Sequence, residues 1–232
     1  METLVSYELG DGIATIAMDD GKVNVLSLGM LSEVNSALDR AEGDGAVVVL
    51  TGREGVFSAG FDLRVLTAGG TEAADMLRGG FELARRLLSF PRPIVIACPG
   101  HAVAMGVFLL LSGDYRVGTQ GAYRITANEV AIGLPMPETA IEICRQRLGP
   151  MYFNRAVINA EIFTPDAAVT AGFLDQVVSS SELPATARAA AVQLATLDIA
   201  AHAATKLRAR SQALEAIARA IEADDAAMRV RL

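Results

Sequence analysis

Val56-Phe57-Ser58-Ala59-Gly60-Phe61-Asp62-Leu63-Arg64 is the stretch on which the reading of this chain turns. It follows Ala46-Val47-Val48-Val49-Leu50-Thr51-Gly52, whose branched residues favour a strand buried on both faces. A short turn containing Gly60 then leads into Asp62-Leu63, so the backbone can pass close to a ligand with no side chain in the way. Backbone amides are therefore the expected working groups here.

Two further stretches follow at matching distances. Pro93-Ile94-Val95-Ile96-Ala97-Cys98-Pro99-Gly100 reads as a second buried strand ending in a turn, and His101 to Leu111 as an apolar helix after it. Next comes Ala127-Asn128-Glu129-Val130-Ala131-Ile132-Gly133-Leu134-Pro135. Taken with the later run Thr164-Pro165-Asp166-Ala167-Ala168 to Gln176-Val177-Val178, these segments resemble, in order, those of the crotonase (enoyl-CoA hydratase/isomerase) superfamily. The resemblance spans almost the whole chain. It implies an α/β fold, a spiral of strand-strand-helix turns with a C-terminal helical region, acting on acyl-CoA thioesters.

Composition agrees with that class. With 52% hydrophobic residues and a net charge of −7, the chain suits a globular protein with a large core and has no basic excess for nucleic acid. No apolar run approaches the ~18–20 residues of a membrane span, and Met1-Glu2-Thr3 carries no basic segment before an apolar one. A cytoplasmic protein is expected, with no membrane partner. Cys98 and Cys144 lie far apart among apolar residues and read as reduced, buried thiols; His101 and His202 are too few and too separated for a metal site. No metal is expected.

Along the chain, Val5 to Glu8 and Ile13 to Met18 flank Gly10-Asp11-Gly12 and read as a hairpin. Ser27 reads as the N-cap of a helix from about Leu28 to Ala41. A helix is expected from about Thr71 to Phe90, stopped by Pro91-Arg92-Pro93 and weakened at Gly79-Gly80, either as a mobile lid over an acyl chain or as a kinked static helix. Short strands follow at Asp114–Gly118 and Ala122–Ile125, then helices from Pro137-Glu138 to about Leu148 and from Tyr152 to Asn159. Ser179-Ser180-Ser181-Glu182-Leu183-Pro184 is the best boundary, dividing a core of residues 1–180 from a C-terminal region of 181–232. That region, from Ala185 to Arg231, should be almost wholly helical. By resemblance it covers the active site and makes contacts in a homotrimer or dimer of trimers.

The resemblance also assigns roles. Two N–H donors, here Phe61 and Met105, stabilise the oxyanion of a thioester enolate, and the helix start at Met105 adds a favourable dipole. Many members have glycine around the second donor, where this chain has Ala104-Met105-Gly106. The family's hydratases use two glutamates; the first aligns with Phe108 and the second with Glu129, so one carboxylate remains. A single base suits the shuttling of a proton between C2 and C4 better than hydration. Glu138 stands as a candidate second acid or as a first-turn residue complementing its helix dipole. Phe108 and Gly106 would line the substrate site, and Ala59, Phe61 and Leu63 would offer backbone carbonyls to the adenine of coenzyme A. Asp62 would fix the loop, while Lys22, Arg64 and Lys206 are candidate phosphate contacts. No cofactor is expected beyond the coenzyme A carried by the substrate. An enoyl-CoA isomerase is the leading expectation, with a hydratase proper or a non-catalytic acyl-CoA binder as alternatives. A serine peptidase is disfavoured because no serine is placed beside a histidine.

Overall fold

The computed structural model describes residues 3–230. The chain opens with a hairpin of β1 (Val5–Gly10) and β2 (Ile13–Met18), whose turn holds Asp11 and Gly12 at φ 53° and 73°, as a tight two-residue hairpin loop requires. Helix α1 (Leu28–Gly43) follows; the Ser27 side chain accepts from the Met30 N–H at its start.

Three turns of one pattern come next. The first is β3 (Val47–Thr51), β4 (Gly55–Ser58), α2 (Leu63–Ala68) and α3 (Gly70–Ser89). The second is β5 (Ile94–Cys98), β6 (Gly100–Val103) and α4 (Met105–Leu111). The third is β7 (Tyr115–Thr119), β8 (Ile125–Thr126), a 3-10 turn Val130–Ile132 and α5 (Glu138–Arg145). Then follow α6 (Pro150–Val157), α7 (Pro165–Ala171) and β9 (Gln176–Val178), and finally α8 (Leu183–Ala195), α9 (Ile199–Ala209) and α10 (Ser211–Val230).

Each turn gives its first strand to a six-stranded sheet, ordered β1-β2-β3-β5-β7-β9, and its second to a three-stranded sheet, ordered β4-β6-β8. From β2 to β9 the large sheet is parallel and the small sheet is wholly parallel, each neighbour being reached through the long crossover that parallel pairing needs. The central strands β3 and β5 of the large sheet are apolar on both faces because both are covered. One face meets the main core; the other meets α8, where Leu183, Ala187 and Ala191 pack with Val47, Val49, Val95, Ala97 and Val117. Ile217 and Ile221 of α10 join the main core.

This layout places the site. Because β4, β6 and β8 run parallel and adjacent, the segments leaving their C-terminal ends emerge side by side. Those segments are Ala59–Asp62, Ala104–Met105 and Ala127–Glu129.

Several expectations are corrected. The apolar run from His101 is not helical at its start: Gly100–Val103 is a strand, and α4 begins only at Met105. Apolar periodicity alone does not separate a buried strand from a buried helix, and pairing with β4 and β8 decides the matter. The strand expected over Ala122–Ile125 is confined to Ile125–Thr126, and the helix after Pro137 stops at Arg145. The C-terminal run is helical as three helices rather than one, and its last expected residue, Arg231, lies outside the described residues. Helix α3 runs unbroken through Gly79-Gly80; a side chain at Gly80 would run into the Phe61 ring, so this glycine provides a close approach.

Candidate active site

The loop after β4 is held from several directions. The Ser58 hydroxyl donates to the Asn24 carbonyl at 2.7 Å and accepts from the Gly60 N–H at 3.1 Å. Ala59 N–H donates to the Val23 carbonyl and Leu26 N–H to the Gly60 carbonyl, at 3.0 and 2.8 Å. Asn24, itself at φ 53°, donates through its side-chain amide to the carbonyls of Met18 and Phe57. Gly60 takes φ 89°, and a Cβ there would stand 2.9 Å from the Ala104 Cβ and 3.2 Å from the Met105 nitrogen. Only glycine allows both that dihedral and that approach. Asp62 then caps α2, accepting from the Arg64 N–H at 2.9 Å.

Two N–H groups at this junction remain free. Among the described residues, neither the Phe61 N–H nor the Met105 N–H donates to a protein oxygen. Met105 is the first residue of α4, where a helix leaves its amides unpaired, and its side chain turns into the core beside Gly80. Ala104, just before it, is held at φ 50°, ψ −126°, a conformation that normally requires glycine. It is fixed there by its N–H bond to the Thr126 carbonyl at 3.0 Å.

Beside these amides lies a cavity of about 750 Å³, within the size range of small-molecule sites. Phe61, Phe81 and Phe108 form one wall, the first pair edge to face with ring centroids 6.2 Å apart. Ile132, Leu134 and Met136 form another, and Ala227 and Met228 of α10 close it. Ion pairs of Arg78 with Glu222 and Asp225, and of Arg229 with Asp75, hold α10 against α3.

Glu129 follows the end of β8 and lines this apolar space. It is buried, its Oε2 has no hydrogen-bond partner, and removal from water pushes its carboxyl up to about 7. Asp224 also lines the cavity, but both its oxygens are engaged. It accepts from the N–H groups of Glu138 and Thr139 at 3.0 and 2.9 Å and from the Thr139 hydroxyl at 2.7 Å, so it caps α5 from α10.

The structure thus brings together Ala59, Phe61, Leu63, Phe108 and Glu129 on the cavity wall, with Met105 and Gly106 behind it in the core. A side chain at Gly106 would strike Ser58, so this glycine lets α4 pack on β4 rather than lining the site. Glu138 is exposed at the start of α5 and does not line the cavity, since its N–H rather than its carboxyl faces Asp224. Lys22 and Arg64 are exposed on segments flanking the 59–62 loop, and Arg64 pairs with Asp62 at 2.8 Å. Lys206 is a correction: it is buried against Asp114 at 2.7 Å, with Arg210 on the same carboxylate at 3.0 Å, and is not available to a phosphate. Sequence reasoning missed Asn24, Asn128 and Asp224. Asn128 stood inside a quoted motif without a role, whereas Asp224 caps residues 86 and 85 positions away and leaves no local signal.

Among the described residues no helix is long and apolar enough to cross a membrane, and no group of three metal-binding side chains occurs.

Comparison with known proteins gives a consistent picture. The enoyl-CoA hydratase/isomerase family model matches residues 8–229. A Mycobacterium tuberculosis protein, described as an enoyl-CoA isomerase in one structure and as a probable enoyl-CoA hydratase in another, superposes in the first with a TM-score of 0.94 at 49% identity, covering 97% of this chain and 99% of its own. An enoyl-CoA hydratase from Mycobacterium marinum is equally similar, with a TM-score of 0.93 and 49% identity over 96% and 98%. The human mitochondrial enoyl-CoA delta isomerase 1 is 31% identical over 213 residues, 89% of this chain and 70% of that protein.

Proposed function

Because the chain belongs to the enoyl-CoA hydratase/isomerase family, we propose that it moves the double bond of an enoyl-CoA thioester from the 3 to the 2 position, with Glu129 as its single acid–base group. One observation carries this reading: Glu129 is the only carboxylate lining the cavity, among the described residues, with an oxygen free of partners. At the place where the resemblance puts a hydratase's other glutamate, the cavity presents Phe108.

The chemistry follows from the walls. With the thioester oxygen on the Phe61 and Met105 N–H groups, negative charge developing there is stabilised, and losing one such donor costs about 3–4 kcal/mol of barrier. Ionised Glu129 removes a proton from C2, and the C–H electron pair passes into a dienolate spread over the thioester oxygen, C2 and C4. The protonated Glu129 then returns that proton to C4, leaving the double bond between C2 and C3. No water enters and none leaves, which suits a space walled by phenylalanine and leucine. A base titrating near neutrality serves both halves of the transfer.

Turnover of a medium-chain trans-3-enoyl-CoA, with the trans-2 isomer in parallel, tests this reading in the wild type and in Glu129→Gln. Formation of the conjugated thioester should fall by about 10³-fold in the variant, with acyl-CoA binding retained. Undiminished turnover in Glu129→Gln removes the assignment, and hydration of the trans-2 substrate replaces isomerase by hydratase. Binding of both substrates with no turnover in the wild type identifies an acyl-CoA carrier. A trimer or dimer of trimers belongs to the same reading, and a monomer in equilibrium sedimentation overturns that part.

A further inference from the structure

The wall beside Glu129 holds a second unpaired polar group. Among the described residues only five buried side-chain polar atoms lack a partner, and three fall within four positions: Thr126 Oγ1, Asn128 Oδ1 and Glu129 Oε2. Buried polar groups are almost always bonded, so such a cluster marks an interaction completed by something else. Asn128 and Glu129 both line the cavity. The backbone of Asn128 is fixed: its carbonyl accepts from the Ile132 N–H at 3.2 Å at the start of the 3-10 turn. Next in sequence to Glu129, its Oδ1 makes no hydrogen bond among the described residues that would commit the side chain to a structural role.

We propose that Asn128 is a positioning residue for Glu129: when substrate fills the cavity, its side-chain amide hydrogen-bonds to the Glu129 carboxyl and holds it in line with the substrate carbons. An amide suits this role because it carries both a donor and an acceptor. Its N–H group donates to ionised Glu129, and its carbonyl accepts from the protonated form after C2 has given up its proton. Asn128 gains and loses no proton; the one transferred passes from C2 to Glu129 to C4. This inference rests on the isomerase reading above.

Two other titratable groups lie around this site, Cys144 through its charge interaction with Glu129 and Asp224 lining the same cavity. Cys144 of α5 feels the Glu129 charge, but burial pushes its thiol far above neutrality. Asp224 of α10 already accepts three hydrogen bonds.

The experiment is the pH dependence of kcat and kcat/KM on the 3-enoyl substrate for wild type, Asn128→Ala and Asn128→Ser, with far-UV circular dichroism to confirm folding. Losing a hydrogen bond to a charged group lowers kcat about tenfold, with KM changed less than twofold. The acid limb of kcat/KM should move up by about one pH unit, because the ionised base loses a donor. Asn128→Ser, which keeps a hydroxyl, should recover part of both effects and also serves if the alanine variant does not fold. A wild-type limb and kcat in the folded variants overturn the proposal while leaving the isomerase reading intact, provided Glu129→Gln is inactive. Activity in Glu129→Gln overturns both.

Discussion

On the β4 side of the cavity, nearly every polar group near Phe61 is held by another: Ser58 by Asn24, Gly60 by Ser58 and Leu26, Ala59 by Val23. On the β8 side, Asn128 Oδ1 and Glu129 Oε2 are buried with no hydrogen-bond partner among the described residues. The first wall works with backbone, whose position is set by covalent geometry and a dense hydrogen-bond net. The second presents side chains, and of the two only Glu129 can take up and release a proton near neutrality. A group meant to stabilise charge without moving benefits from over-determination, whereas a base must keep an oxygen free for its substrate.

That contrast is sharpened most by disturbing the rigid wall. Gly60→Ala forces a side chain onto φ 89° and against Ala104 and the start of α4, displacing one or both N–H donors. Turnover should fall by about 10²-fold or more, and the fold should lose about 1–3 kcal/mol. Steady-state kinetics and urea denaturation read the two effects separately; wild-type turnover would show that the close approach at Gly60 has no part in the chemistry.

The opposite wall should respond in the opposite sense to loss of its charge. Glu129 has its carboxyl raised from 4.5 to about 7 in the folded chain by burial. Between those values the folded protein keeps a proton that the unfolded chain releases, so the contribution to stability is fully present below pH 4.5 and is lost as pH rises through 7. Above pH 7 the buried carboxylate destabilises the fold by about 3 kcal/mol. Glu129→Gln should therefore melt higher than the wild type at pH 8 to 9, with the gap closing toward pH 4. Equal melting temperatures across that range would mean that the carboxylate is solvated in the folded state.

The smallest expected change is Ala104→Gly, which relieves the strained φ 50° at the start of α4 and should add about 1 kcal/mol of stability. The midpoint of urea unfolding checks this, and a loss of stability would mean that the Ala104 methyl contributes more by packing than it costs in strain.

How far these features were readable follows from their range along the chain. Gly60, the apolar strand at 46–52 and the Glu129 segment carry their signals locally, through dihedral tolerance and hydrophobic runs. The boundary between strand β6 and helix α4 was not readable, because His101 to Leu111 is apolar throughout and only pairing with β4 and β8 divides it. The strain at Ala104 is invisible for the same reason: alanine signals helix, and the turn is imposed by neighbouring strands. Lys206 was misread because its partner, Asp114, lies 92 positions away. The closure of the cavity by α10 and the capping of α5 by Asp224 are likewise contacts of high sequence separation.

The two free amides give the molecule a spectroscopic handle. The N–H groups flanking Phe61 and Met105 in sequence include bonded ones, such as those of Gly60 and Ala104, while Phe61 and Met105 have no acceptor among the described residues. In a deuterium-exchange experiment, these two positions should lose their protons early from within an otherwise protected region, since protection reports on hydrogen bonding and opening. A thioester that occupies them should slow their exchange while leaving the surrounding strands unchanged. Occupation of the site is thereby recorded at two identifiable atoms, independently of any turnover.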